Sequence, residues 1–250
     1  MIQIEQQLLF DPSKLTVRLL GGWRLQDCGE EVTASFAMQR LIALLALRGP
    51  QRREAVAAQL WPDSPQRQAS GSLRELLWRL NQLHPRALER RRDVLSLPAQ
   101  TQVDVVKLVA GVRVLQHSAL PDAEILPLLT AGELLPMWND EWVEPEREHL
   151  RLAQLHGLEL LAGHHLLAQR PHNALQAALA AAVGEPLRES AQRTVVRAHL
   201  AMGNYSQAVA QYERFADHLD DELGVRPSRE FTDLLRQRTR DASDLVSSAR

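Results

Sequence analysis

Eleven arginines lie between residues 40 and 92, against four carboxylates (Glu54, Asp63, Glu75 and Glu89). The segment is therefore +7 in a chain whose whole formal charge is −2. Guanidinium groups suit phosphate: the planar fork stays charged and donates hydrogen bonds in pairs. Arg52 and Arg53 open a short segment that runs to Trp61-Pro62, and the start of a helix already favours an anion through its free amides. Arg67, Gln68, Ser70, Gly71, Arg74 and Trp78 lie off a leucine stripe. Arginine there can bond guanine through two acceptors, and such side chains read base edges. Arg90, Arg91 and Arg92 sit together at a turn between two extended segments, in reach of a backbone that runs past. A solvated arginine-rich face accounts for the charge alone equally well.

Other chemistry is hard to build from this chain. His164 and His165 are adjacent, so on a helix they point about 100° apart. His117, His149, His156, His172 and His199 are isolated. No HExxH, GxSxG or GxGxxG occurs, which removes the common metal, nucleophile and dinucleotide signatures. Cys28 is the only cysteine, so neither an internal disulfide nor a cysteine-based zinc site can form. We expect no enzyme, no catalytic or metal-binding residue and no cofactor. Residues 1–11 carry Glu5 and no basic side chain, unlike a signal peptide. No apolar run approaches the roughly 20 residues of a membrane span. The expectation is a cytoplasmic protein with no membrane partner.

The elements that must position the arginines follow from periodicity. With 250 residues, two domains are the natural reading. Leu and Ala abound while aromatics are 4%, which favours helices. Residues 15–36 read as three short strands, Leu15–Leu20, a run from Trp23, and Glu31–Phe36, with a turn at Gly21-Gly22. Three helices follow, at about 37–48, 52–60 and from Ser64-Pro65 to Leu83. Ser64 suits the N-cap of the third and Pro65 its first turn. Ala69, Leu73, Leu76, Leu77, Leu80 and Leu83 form its apolar stripe, at spacings of 3 and 4. Trp78 on the polar side and Gly71, which costs a surface helix about 1 kcal/mol against Ala, call for a partner. Arg90–Asp93 and Val94–Leu97 suggest a hairpin. The order sheet, helix, short helix, long amphipathic helix, hairpin is that of a winged helix-turn-helix, whose second turn helix enters the major groove.

Beyond Val103 the pattern is helical: 102–117, 121–131, a loop at 134–145 holding Trp138 and Trp142, and a long helix at 146–169. We expect at least one indole to pack on the first domain or on that long helix. Ala174 and Ala208 are 34 residues apart, as are Leu166 and Leu200, and Leu175 and Val209. This is the tetratricopeptide period. The fold class expected is mainly α with a small β component, a winged helix-turn-helix followed by an α-helical tetratricopeptide-like domain. The boundaries expected are an N-terminal extension at 1–14, a DNA-binding domain at 15–101, helical repeats at 102–240 and a C-terminal tail at 241–250. Residues 1–110 carry net +4 and 111–250 net −6, so the basic surface belongs to the first domain.

The stretch Gly132–Arg147, which reads Gly-Glu-Leu-Leu-Pro-Met-Trp-Asn-Asp-Glu-Trp-Val-Glu-Pro-Glu-Arg, closely resembles the start of the bacterial transcriptional activator domain of the SARP-type activators. Asp220-Asp-Glu-Leu-Gly-Val-Arg-Pro-Ser228 resembles its end. Leu60-Trp61-Pro62-Asp63 resembles the motif before the recognition helix of that family's OmpR-like domain, and Val103-Asp104-Val105 the join between the two. The resemblance spans about 15–235. It implies a regulator, an activator by family, that binds direct-repeat promoter sites on double-stranded DNA, forms a homodimer at least on DNA and contacts RNA polymerase. The residues expected at the DNA are Arg52, Arg53, Arg67, Gln68, Ser70, Gly71, Arg74, Trp78, Arg90, Arg91 and Arg92. No phosphate-binding GxxxxGK[ST] follows the repeats and no receiver domain precedes Leu15, so a short form without either is expected. The rival reading is a helical-repeat scaffold for protein interaction that does not bind DNA.

Overall fold

The computed structural model describes residues 10–236; the tail expected at 241–250 and residues 1–9 of the expected extension lie outside them. The chain forms two compact units. One holds the residues up to Gly111 together with Pro121–Ala153; the other holds Val112–Leu120 and the residues from Gln154 on.

The first unit begins with β1 (Thr16–Arg18), β2 (Arg24–Asp27) and β3 (Glu30–Glu31). They pair antiparallel, and β7 (Gln102–Val103) adds a parallel edge to β1, giving the order β3-β2-β1-β7. The third strand is much shorter than the expected Glu31–Phe36. Ser35 instead takes the N-cap position of α1 (Phe36–Arg48) with an extended backbone, and Gln39 donates back to its carbonyl. Ser35 makes no side-chain cap bond, and the apolar run that follows it buries Met38, Leu41 and Ile42 at helical spacing. Leu41, Ile42, Leu44 and Leu45 of α1 are fully or almost fully buried, as are Val17, Leu19 and Leu25 of the sheet region.

A three-residue step later, β4 (Gln51–Arg52) leads into α2 (Arg53–Leu60) and then α3 (Gln66–Leu83). The stripe is buried as its spacing predicts at Ala69, Leu73, Leu76, Leu77 and Leu80. Leu83, at the last turn, is 63% exposed. Helix α3 starts one residue after the expected position: Pro65 is its N-cap, its carbonyl receives the amides of Gln68 and Ala69, and Ser64 makes no side-chain cap. Proline fixes its own φ and needs no donor partner there. β5 (Glu89–Arg91) and β6 (Val94–Ser96) form the hairpin, and β4 pairs with β6 to complete a sheet of order β4-β6-β5. This is a winged helix-turn-helix.

Asp104 heads α4 (Asp104–Leu115). Its buried carboxylate accepts the amides of Leu19 (2.8 Å), Leu20 (2.9 Å) and its own neighbour Val105 (2.8 Å). Burial pushes its pKa up to about 6, against the pull of those amides and of Arg18. From the other side the strand end meets the segment after α5 (Asp122–Leu129): Leu135 donates to Leu19, and Gly21 donates to Glu133. Gly21 has φ +71°, and a Cβ there would come within 2.5 Å of the Ala131 carbonyl oxygen, so only glycine fits.

The second unit contains most of α6 (Glu144–Leu167), then α7 (Pro171–Gly184), α8 (Glu189–Ala201) and α9 (Tyr205–Leu223). Helix α8 packs against both α7 and α9. The period of 34 is visible in the hydrogen bonds. Arg170 donates to His165 and Asn204 to His199; Gln169 donates to Leu166 and Gly203 to Leu200. Ala174 and Ala208, each the fourth residue of its helix, are both fully buried. Gln169 (φ +58°) and Gly203 (φ +74°) take the same left-handed turn. After α9 the chain is helical again at 229–236, and Phe231 closes a core with Val196, Ala208, Phe215 and Leu219. The helical, tetratricopeptide-like second half is as the period predicts.

Candidate nucleic-acid interface

Helix α3 presents two faces of different character. Arg67, Gly71, Arg74 and Trp78 follow one another at spacings of 4, 3 and 4, so they share one face. All four are exposed, Trp78 to 63%. Gln68 is exposed beside them and Ser70 is half-buried at the flank. A Cβ at Gly71 would meet nothing within 4 Å, so no neighbour inside the fold asks for glycine at that position. Arg79, one turn further on, is paired with Glu75 across the exposed surface.

The wing stands beside this helix for an identifiable reason. Arg90 donates from Nη2 to the carbonyl of Leu77, inside α3, at 2.5 Å. Its guanidinium thus ties the hairpin to the helix as well as adding charge. Arg91 pairs with Glu89 at 3.3 Å in an exposed position, worth little to stability. Arg92 sits at the tip with φ +57° and is exposed. Its neighbour Asp93 receives the amide of Arg53 at 2.8 Å, which joins the tip to the start of α2.

That bond changes the setting of the other arginine pair. The first amide of α2 is already used, and Glu54 in the first turn answers the helix dipole. Arg52 is exposed, with its backbone paired to Val94. Arg53 is half-buried, and its Nε is buried without a hydrogen-bond partner among the described residues. Arg52 and Arg91 thus both lie in register with Val94, Arg53 and Arg92 adjoin them at the helix start and the hairpin tip, and Arg67, Gln68, Gly71, Arg74 and Trp78 lie on the open face of α3.

Two arginines that matter to this geometry carry no motif, and a third residue, Asp104, has a role that its motif does not reveal. Arg40 bonds the carbonyl of Leu60 and the carboxylate of Asp140. Arg48 reaches Gln59, Glu146 and the carbonyl of Trp142. Asp104 holds the end of β1. The signal of the two arginines in the sequence is limited to their being two turns apart on one helix, and that of Asp104 to the segment Val103-Asp104-Val105. Both tryptophans of the 134–145 loop are buried. Trp138 stacks on Trp23 with centroids 6.4 Å apart and meets Phe36 edge-on at 5.0 Å, so one indole does pack on the sheet and α1. Among the described residues no group of His, Cys, Asp and Glu could hold a metal ion, and no helix is long and apolar enough to cross a membrane.

A family profile described as "Bacterial transcriptional activator domain" matches residues 129–237. Residues 129–237 are thus similar to that domain. Its resemblance to the SARP-type activators holds there, in the two segments at Gly132–Arg147 and Asp220–Ser228. That family regulates transcription and is not a class of enzymes. A solved structure, EmbR of Mycobacterium tuberculosis in complex with a low-affinity phosphopeptide, is similar in fold, with a TM-score of 0.71 and 20% sequence identity. The match covers 91% of this chain and 65% of that one, so the chain spans somewhat less than two thirds of that structure's length. A search of curated proteins finds no match.

Proposed function

We propose that the protein is a cytoplasmic, sequence-specific transcriptional activator that binds double-stranded DNA through α3 and the wing. The observation that carries this reading is the outward face of α3. Arg67, Gln68 and Arg74 are exposed there, with no ion pair among the described residues, beside a glycine and a tryptophan that the fold itself does not use. Arg67, Gln68, Ser70 and Arg74 read base edges, Gly71 lets the helix lie close, and Trp78 packs on the sugar–phosphate rim. Arg52, Arg53, Arg91 and Arg92 hold phosphates, while Arg90 divides its guanidinium between phosphate and Leu77. Residues 15–101 form the reading module, and residues 102–240, net acidic and repelled by phosphate, serve assembly and contact with RNA polymerase. A homodimer on direct repeats places two modules about one helical turn, near 10 base pairs, apart.

The test starts with selection of duplexes bound by the full chain from a random pool. On the selected site, Arg74→Ala relaxes preference at one base position, at a cost of about 1–3 kcal/mol there. Equal weakening on every sequence would reduce Arg74 to a phosphate contact. Arg92→Ala lowers the slope of log K against log salt by about 0.9; an unchanged slope makes it a surface charge. Affinity for doubled half-sites should vary periodically with spacing. The exposure of Trp78 and Leu83 also suits a protein-binding helix. Absence of DNA binding even at low salt would establish that scaffold reading instead.

A further inference from the structure

The helix-turn-helix is braced by a charge that belongs to the matched activator domain. Helix α2 ends at Leu60, and α3 begins at Gln66. The carbonyl of Leu60 is one of the last in α2, where intrahelical donors run out. Its donor is Arg40 Nη1, at 2.9 Å, from α1. The same guanidinium is held by Asp140: Nε donates to Oδ1 at 2.7 Å, and Nη2 bonds the same oxygen. Trp142 Nε1 donates to that oxygen too, at 3.2 Å. The pair is largely closed to solvent, with 19% of the Arg40 side chain and 9% of the Asp140 side chain exposed. All of these residues lie in the first compact unit, yet Asp140 and Trp142 fall inside the family match at 129–237.

Arginine is needed for this because its fork can serve two acceptors in fixed directions, which an ammonium cannot. Removing the Asp140 charge leaves a half-buried guanidinium without its counter-charge, and it must turn towards water. The Leu60 carbonyl then loses its donor. In the turn between the two helices, the amide of Ser64 still donates to Trp61.

We propose that Asp140 is a positioning residue for DNA reading: acting through Arg40, it fixes the end of α2 and hence the attitude at which α3 is presented. This rests on the reading that α3 binds DNA. The residues of α3 that touch bases stay unchanged, so an effect of Asp140 on discrimination has to pass through geometry.

The experiment uses the full chain as wild type, Asp140→Asn and Arg40→Lys. Two quantities are read: the ratio of affinity for the selected duplex to that for a scrambled one across a salt series, and amide exchange at Trp61 and Ser64 without DNA. Arg40→Lys keeps the charge and serves if Asp140→Asn does not fold. We expect both variants to lower the affinity ratio about tenfold, the scale of one base contact, with the salt slope unchanged and exchange at both amides faster. Faster exchange with a wild-type ratio leaves Asp140 a stability contact and overturns the proposal. So does a wild-type ratio with wild-type exchange. A wild-type chain without sequence preference overturns the DNA reading itself, and slow, unaltered exchange in the variants would overturn the brace independently of it.

Discussion

In the repeats, Arg188 holds Glu159 with two hydrogen bonds of 2.8 and 2.9 Å, and Ser190 donates to the same carboxylate. Arg193 and Arg197 both reach Glu230. On α3, by contrast, Arg67 and Arg74 meet no carboxylate among the described residues, although Glu75 directly follows Arg74. Glu75 faces Arg79 one turn on, at the i,i+4 spacing. Arg188, Arg193 and Arg197 of the second unit are closed on carboxylates, whereas Arg67 and Arg74 of the helix-turn-helix stand open. An arginine already held by a carboxylate must give up that pair before it can take a phosphate. The difference therefore separates structural arginines from those available to a ligand.

Two acids, the buried Asp104 in the first unit and the half-buried Glu159 in the second, sharpen the contrast. Asp104 is enclosed and held by backbone amides, and burial raises its pKa to about 6. A raised folded value means that stability is full below the usual carboxylate range and is lost as pH rises through about 6. The expected loss is about 3 kcal/mol. Melting of wild type and Asp104→Asn between pH 4 and 7.5 reads it: the wild type should fall relative to the variant, and parallel curves would refute the assignment. Glu159 goes the other way. Burial pushes its carboxyl up, but the hydrogen bonds of Arg188 and Ser190 outweigh that and hold it below its ordinary value. Its contribution is present above the usual carboxylate range and is lost as pH falls through its own lowered pKa.

Glu159→Gln should cost about 2 kcal/mol of stability while leaving DNA affinity unchanged, as seen by melting and by titration of a duplex. Arg74→Ala should do the reverse, moving stability by no more than about 0.5 kcal/mol while altering base preference. If Arg74→Ala melts as low as Glu159→Gln, the contrast between open and closed arginines fails. The smallest effect compares the two repeats. Gln169 and Gly203 share a left-handed turn that glycine takes freely. Gln169→Gly should add up to about 1 kcal/mol and Gly203→Ala remove a similar amount, both read by denaturant midpoint.

Much of this was legible in the residues. The spacing of Ala69, Leu73, Leu76, Leu77 and Leu80 marks the buried side of α3, since a helix turns 100° per residue whatever surrounds it. The run Arg90–Asp93 between β-branched and leucine positions marks a hairpin. The pairs at separation 34 mark the repeats, down to the equivalent bonds at Arg170 and Asn204. What escaped depends on contacts far apart in the chain. Asp104 meets Leu19 and Leu20 across some 85 residues, and Arg40 meets Asp140 across 100. No local periodicity encodes such partners. The misplaced third strand failed for a local reason, since two weak signals overlapped at Glu31–Phe36 and the helical run that starts at Phe36 prevailed. Leu83 fits the stripe by number, but the helix ends there and the side chain is left 63% exposed.

The empty space around Gly71 has a consequence for how the chain tolerates change. Alanine would fit there without a clash, and its better helix propensity would stabilise the folded chain by about 1 kcal/mol. Screening variants for thermal robustness alone would thus enrich Gly71→Ala, whereas screening for promoter occupancy would discard it if the helix must lie close to the duplex. The position is one where selection for a sturdier protein and selection for a working regulator pull in opposite directions, and the identity of its residue records which of the two has governed.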